Sequence, residues 1–297
     1  MPFDVTGANT MPEQIGQAVA RERLRARLVH LRRQRKLSPE SVVARTHWSL
    51  SKLNRIETGA VTVQPLDVQA LLNIYEVHDP AEIDAMTGLS IVARRRQWWN
   101  AYQLDSEDRD FVAYESAAAR ITIYQALLIP DLLQTEAYAR TVLTSAAGQK
   151  PDDPAVQNAL ELRLRRQSEL AGRMRGPQPP HMFAILDGAV LERRIGGAAV
   201  MRAQLNRLLD LIAEDQVRVM VIPLRQGMNP GSGGFELLEF AGVEDPDVVF
   251  VESPVRDFVL RDKEDTAGYH DVVDTLVGSG LTRDPAIREI KRIRGGL

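Results

Sequence analysis

The chain reads as an α+β protein: an N-terminal all-α domain of five helices, a connecting helix, and a larger C-terminal domain mixing α and β. Three observations predict it. Between residues 21 and 89 apolar side chains recur at helical spacing between capped ends. Beyond residue 180, strand-length apolar runs alternate with helical stretches. Charge is also segregated between the two parts.

Leu24, Leu28 and Leu31 mark a buried stripe on a first helix over residues 21–36, with Arg25, Arg32, Arg33, Arg35 and Lys36 on its remaining surface. Ser38 is a good N-cap for a short second helix, Pro39 suits its first position, and Val42 and Val43 begin its apolar face. After a break at residues 46–48, Ser49 caps a third helix. Leu53 and Ile56 share one of its faces, Ser51, Lys52 and Arg55 project elsewhere, and Gly59 ends it. A fourth helix follows Pro65 through Val68, Leu71, Leu72 and Tyr75. Asp79-Pro80 opens a fifth containing Ile83, Met86 and Leu89. These two bury the back of the third helix and fix its angle.

Residues 21–55 hold eleven Lys and Arg against Glu22 and Glu40, a local excess of nine; the chain as a whole is −3, so the remainder carries −12. A basic end on an acidic body is held on a polyanion by that end, in a salt-dependent way. A charge run alone is as readily a solvated helix face. The capped helix-turn-helix pattern beside it, with Ser49, Ser51, Lys52, Asn54 and Arg55 offering donors to phosphates and base edges, turns the reading toward double-stranded DNA.

Leu37 to Ser41 (LSPES) and Ser49 to Gly59 (SLSKLNRIETG) resemble the Xre/Cro-type, lambda-repressor-like helix-turn-helix family over residues 16–87. The resemblance implies that the third helix enters the major groove. It assigns base reading to Leu50, Ser51 and Arg55, and phosphate contact to Arg33, Ser38, Ser49, Lys52, Asn54 and Thr58. Where the family often has a glycine in the turn, this chain has His47-Trp48; Trp48 is read as packing.

Length and a 44% apolar content support two cores. The absence of cysteine excludes disulfides and thiolate chemistry and agrees with a reducing cytoplasm. No signal peptide or membrane-spanning run is visible, and residues 1–15 read as a mobile arm. His30, His47, His78, His181 and His270 lack metal-ligand spacing, so neither metal nor cofactor is expected.

Residues 88–110 are read as the connecting helix. Arg94-Arg95-Arg96 before Trp98-Trp99 could stack on bases, but Trp98, Trp99 and Tyr102 suit one packed face. From residue 111 to 147 helices dominate, with Pro130 starting one; residues 155–174 form a long amphipathic helix that leaves Arg163, Arg165, Arg166 and Arg173 off its apolar side. After GPQPP at 176–180 come strands over 181–186, 217–222, 235–240 and 248–252, a helix over 198–214, and two final helices capped by Asp262 and Asp284. The glycine-rich stretch 227–234 lacks a P-loop lysine and precedes a strand, so it reads as a loop. Glu236, Glu239, Glu244, Asp245, Asp247 and Glu252 read as the wet face of a sheet rather than an acid/base pair.

LIPDLLQTEAYA at 128–139, RLRRQSEL at 163–170, VMVIP at 219–223 and Gly233-Gly234-Phe235 resemble the C-terminal domain of actinobacterial Scr1-family, antitoxin-like, WhiJ-type regulators over about residues 93–290. Asp131 departs from that pattern, which has glycine there. The expected protein is a non-enzymatic, sequence-specific transcriptional regulator of the nucleoid, repressor-like, in developmental or secondary-metabolism control. Residues 111–297 would bind a small-molecule effector or a small protein encoded beside it, and a homodimer would engage two half-sites. An antitoxin with autoregulatory DNA binding, and an enzyme domain targeted to DNA, are the alternatives.

Overall fold

The computed structural model describes residues 16–226, 233–242, 245–253 and 257–297. The expected N-terminal arm and most of the glycine-rich loop, with Glu244, lie outside them. The chain divides into a unit that ends at Asn100 and takes in Gly242–Asp245, and a unit of Ala101–Ala241 with Pro246–Leu297.

The first unit contains α1 (Gln17–Gln34), α2 (Pro39–Thr46), α3 (Leu50–Glu57), α4 (Pro65–Ile74) and α5 (Pro80–Ala93). Leu24, Leu28 and Leu31 of α1 meet Val42, Leu53, Ile56, Leu71 and Met86 in one core, as the spacing predicts. Burying a side chain such as Leu53 contributes about 1.5–3 kcal/mol. Ser38, Ser49 and Asp79 each cap a helix through the side chain. The expected connecting helix is divided: α5 stops at Ala93, a 3-10 turn spans Trp98–Ala101, and α6 begins at Ser106. Asp105 explains the break, because its side chain accepts the Asp108 N–H while its own backbone stays extended. Trp99 is buried, in keeping with packing.

The second unit is built on a seven-stranded sheet. β1 (Arg120–Gln125), β2 (His181–Asp187) and β3 (Arg218–Ile222) are parallel neighbours. β4 (Phe235–Glu239), β5 (Val248–Val251) and β6 (Phe258–Leu260) extend it antiparallel beyond β1, and β7 (Leu281–Thr282) pairs antiparallel with β3. The order is β6-β5-β4-β1-β2-β3-β7. Parallel neighbours need long crossovers. α7 (Glu136–Ala147) and α8 (Pro154–Met174) join β1 to β2, and α9 (Gly188–Glu192) and α10 (Gly197–Ala213) join β2 to β3. The chain closes with α11 (Lys263–Val277) and α12 (Asp284–Gly295).

The central strand β1 interrupts the stretch 111–147, where helices were expected to dominate, and β6 and β7 were not expected. Pro130 precedes only a 3-10 turn, Asp131–Leu133; the α-helix waits for Thr135, whose side chain accepts the Tyr138 N–H. Asp262 occupies its cap position without a capping hydrogen bond, and Arg283, not Asp284, is the residue before α12.

Candidate nucleic-acid interface and a buried acidic cluster

Ser49 fixes the start of α3 by accepting the Lys52 N–H at 3.2 Å. The turn before it is closed by His47 at φ 57°, ψ 26°, the left-handed conformation that glycine takes most easily. At 100° per residue, Leu50, Ser51, Asn54, Arg55 and Thr58 fall within an arc of about 140°. All five are exposed, whereas Leu53 and Ile56 are buried on the other side. The expected base readers thus share one face.

The expected phosphate ligands are less uniform. Arg33 and Asn54 are exposed, and Ser38 and Ser49 keep a hydroxyl proton to donate after accepting their capping N–H groups. Thr58 gives its proton to the Asn54 carbonyl at 2.8 Å. Lys52 places Nζ 3.0 Å from Asp67 Oδ1 and 3.7 Å from the centre of the Trp48 ring. Its charge is therefore partly neutralised from within the domain.

The arginine-rich surface of α1 also needs correction, because several of its cations are structural. Arg32 grips Glu57 with Nε to Oε1 at 2.6 Å and Nη2 to Oε2 at 2.7 Å, and donates to the Leu37 carbonyl at 2.8 Å. Arg25 pairs with Glu22 and donates to the Glu57 carbonyl. Arg35 donates to the Tyr75 and Glu76 carbonyls at the end of α4. Among the described residues, Arg33, Lys36, Arg45 and Arg55 form no ion pair or side-chain hydrogen bond. Within residues 21–55 these four carry the unengaged positive charge; the sequence pattern did not separate them from the rest.

In the second unit the expected wet-face carboxylates do not behave as a group. Strand register sets Glu236 beside Ile123 of β1 and Phe250 of β5, and it is buried, with Oε2 lacking any hydrogen-bond partner. Burial, reinforced by the Glu115 carboxylate, holds its carboxyl well above the usual range, against the pull of Arg166. Arg166 of α8, expected outside, is buried: Nε lies 3.1 and 2.9 Å from the two Glu115 oxygens and Nη1 3.3 Å from Asp131 Oδ2. Arg163 reaches the same Asp131 oxygen at 2.8 Å and Gln134 at 2.8 Å. Glu252 stays exposed, yet its packed surroundings and then Asp131 push its carboxyl up to about 7. Glu239 is half-buried and raised by burial, and Asp247 meets His270 at 2.8 Å. Of this cluster only Asp131 carried a local sequence signal, as the departure from the family pattern. Arg166 and Glu115 lie 51 positions apart, so their pairing left none.

A capped two-helix element with a polar outer face and buried apolar back has the form of a helix-turn-helix DNA-binding domain. Residues 23–86 match a helix-turn-helix domain model. Residues 108–292, more than half of the chain, match the domain of unknown function DUF5753, and the protein belongs to that family. No curated protein and no solved structure matches the chain. Among the described residues no helix is long and apolar enough to cross a membrane.

Proposed function

We propose that the protein is a sequence-specific transcriptional regulator that reads the DNA major groove with α3 and acts by binding rather than turnover. The carrying observation is the single exposed face of Leu50, Ser51, Asn54 and Arg55 over buried Leu53 and Ile56. An arginine there can grip guanine through two hydrogen bonds, and Ser51 can serve a base edge. One such module covers little DNA, which favours a homodimer on paired half-sites. The second unit is the input half, taking a small-molecule effector or a small partner protein. Likeness to the Scr1-family, WhiJ-type regulators supports a repressor-like role in an actinobacterial nucleoid.

Selection of bound duplexes from a random pool tests the reading. A paired-half-site motif is expected, and Arg55→Ala should relax one position in each half. A pool left unenriched after repeated rounds would sink it.

A further inference from the structure

The acidic cluster of the second unit has an unmet requirement. Along β4 the side chains alternate: Phe235 and Leu237 enter the apolar core, while Glu236 takes the other face with Phe250. Glu236 is 6% exposed and its Oε2 meets no donor. Unpaired acceptors at such depth are rare and call for a partner.

The nearby cations do not supply one. Arg166 is committed to Glu115 and Asp131, stacking over Phe111, and Arg163 is committed to Asp131 and Gln134. Arg173, the third guanidinium near Glu115, gives its hydrogen bonds to the Glu115 and Ala118 carbonyls, so none of these cations pairs with the free oxygen of Glu236. Two acids are left over: Glu236 at depth and Glu252 at the surface, where Gln125 donates to it at 3.4 Å. Glu252 follows Phe250 by two residues, and Phe250 is the register partner of Glu236. Diagonal positions in an antiparallel pair lie about 7–8 Å apart.

The place also suits a ligand. Gln125 ends β1, and the antiparallel register brings the start of β4 and the end of β5 to that same edge. Open sheets with parallel strands take ligands outside the carboxyl ends of those strands. Among the described residues no group of three or more His, Cys, Asp or Glu could hold a metal ion, which favours a cation that brings its own N–H donors.

We propose that Glu236 and Glu252 bind an organic cation, a small diamine or an amine bearing a guanidinium group. One charged nitrogen meets the free oxygen of Glu236 and the other lies against Glu252. Binding gives the buried acceptor the donor it lacks. The proposal deepens the reading of this unit as the input half, but the binding itself does not depend on DNA.

The test is calorimetric titration and thermal denaturation of the full chain with 1,4-diaminobutane and with agmatine, against 1,4-butanediol and succinate. Saturable binding of the two cations alone is expected, with a higher melting temperature. Glu236→Gln should lose about tenfold or more in affinity while keeping its circular dichroism and DNA binding. Glu252→Gln, at an exposed position that folding tolerates, should lose less. Failure of either cation to bind at millimolar concentration would overturn the proposal, as would equal binding by Glu236→Gln or preference for succinate. Stabilisation by acid alone, with no cation effect, would identify Glu236 as a proton site and equally overturn it. Loss of DNA recognition in the wild type would instead count against the regulator reading, leaving the titration intact.

Discussion

Arg32 and Glu57 form a two-point ion pair, Nε to Oε1 at 2.6 Å and Nη2 to Oε2 at 2.7 Å, that ties α1 to the last residue of α3. Both side chains are mostly buried, so the pair is shielded from salt. It raises Arg32 further above its ordinary range through the Glu57 hydrogen bond, despite the opposing effect of burial.

Arg32→Met or Glu57→Gln is therefore expected to destabilise the first unit by about 2 kcal/mol, since each leaves a partly buried partner unmet. Chemical denaturation followed by a double-mutant cycle measures it. Additive single effects would show that the pair contributes no coupling.

On DNA, Arg55→Ala should lose about 1–3 kcal/mol, mostly at one base position. Asp67→Asn should act in the opposite direction, because it releases Lys52 from its 3.0 Å ion pair. About two- to fivefold tighter, less selective binding with a steeper salt dependence is expected in a fluorescence titration. Unchanged affinity for Asp67→Asn would mean that Lys52 already reaches phosphate from its paired position.

The turn and the end of α3 make opposite demands on glycine. His47 sits in the left-handed region, so His47→Gly should be neutral or stabilising by up to about 1 kcal/mol. Gly59, at φ 76°, should not accept a side chain as easily: Gly59→Ala is expected to lower stability by about 1–2 kcal/mol. Its new Cβ would lie 3.1 Å from Arg25 Cδ, a flexible neighbour, so the backbone term dominates. Melting temperatures of the two variants should move apart.

In the second unit Arg166→Met strands Glu115 in the interior, and a loss of about 3–5 kcal/mol is expected. Hydrogen exchange along β1 and β4 localises the effect. Retained protection there would show that Glu115 is neutralised by another route.

Stability of the same unit should fall as pH rises. Glu236 and Glu252 hold their protons to higher pH when folded than the roughly 4.3 of a free glutamate, so the folded state binds more protons in between. The contribution is therefore favourable in mild acid and lost as pH climbs through about 7, the value for Glu252. The charged groups acting on this pair are Glu115 of α6, Arg163 and Arg166 of α8, Asp131 and Asp257. Asp108 is itself raised by burial and so works in the same direction. Glu236→Gln should flatten the profile between pH 5 and 8, as read by hydrogen exchange at β4; an unaltered slope would assign it elsewhere.

The first unit was legible because its signals are local. Ser38, Ser49 and Asp79 cap the helices they precede, and the three-and-four spacing of Leu24, Leu28 and Leu31 finds the core directly. The second unit was less so. β1 is enriched in Ile121, Thr122, Ile123 and Tyr124, the residue types that favour strands, but both its faces are covered and no alternation marks it. After Pro130 the α-helix starts only where Thr135 caps it, and Arg283, at φ 54°, takes the cap position ahead of Asp284.

The sequence by itself determined the α+β class, the capped α3 that carries Leu50, Ser51 and Arg55, and the uneven distribution of charge. Only the tertiary structure decided which charges are available. Arg32 and Arg166 are consumed by carboxylates 25 and 51 positions away, Lys52 is shared with Asp67, and Glu236 is turned inward without a partner. Caps and periodicity act within a few residues of chain, whereas ion pairing and burial depend on distances that exist only once the chain has closed on itself.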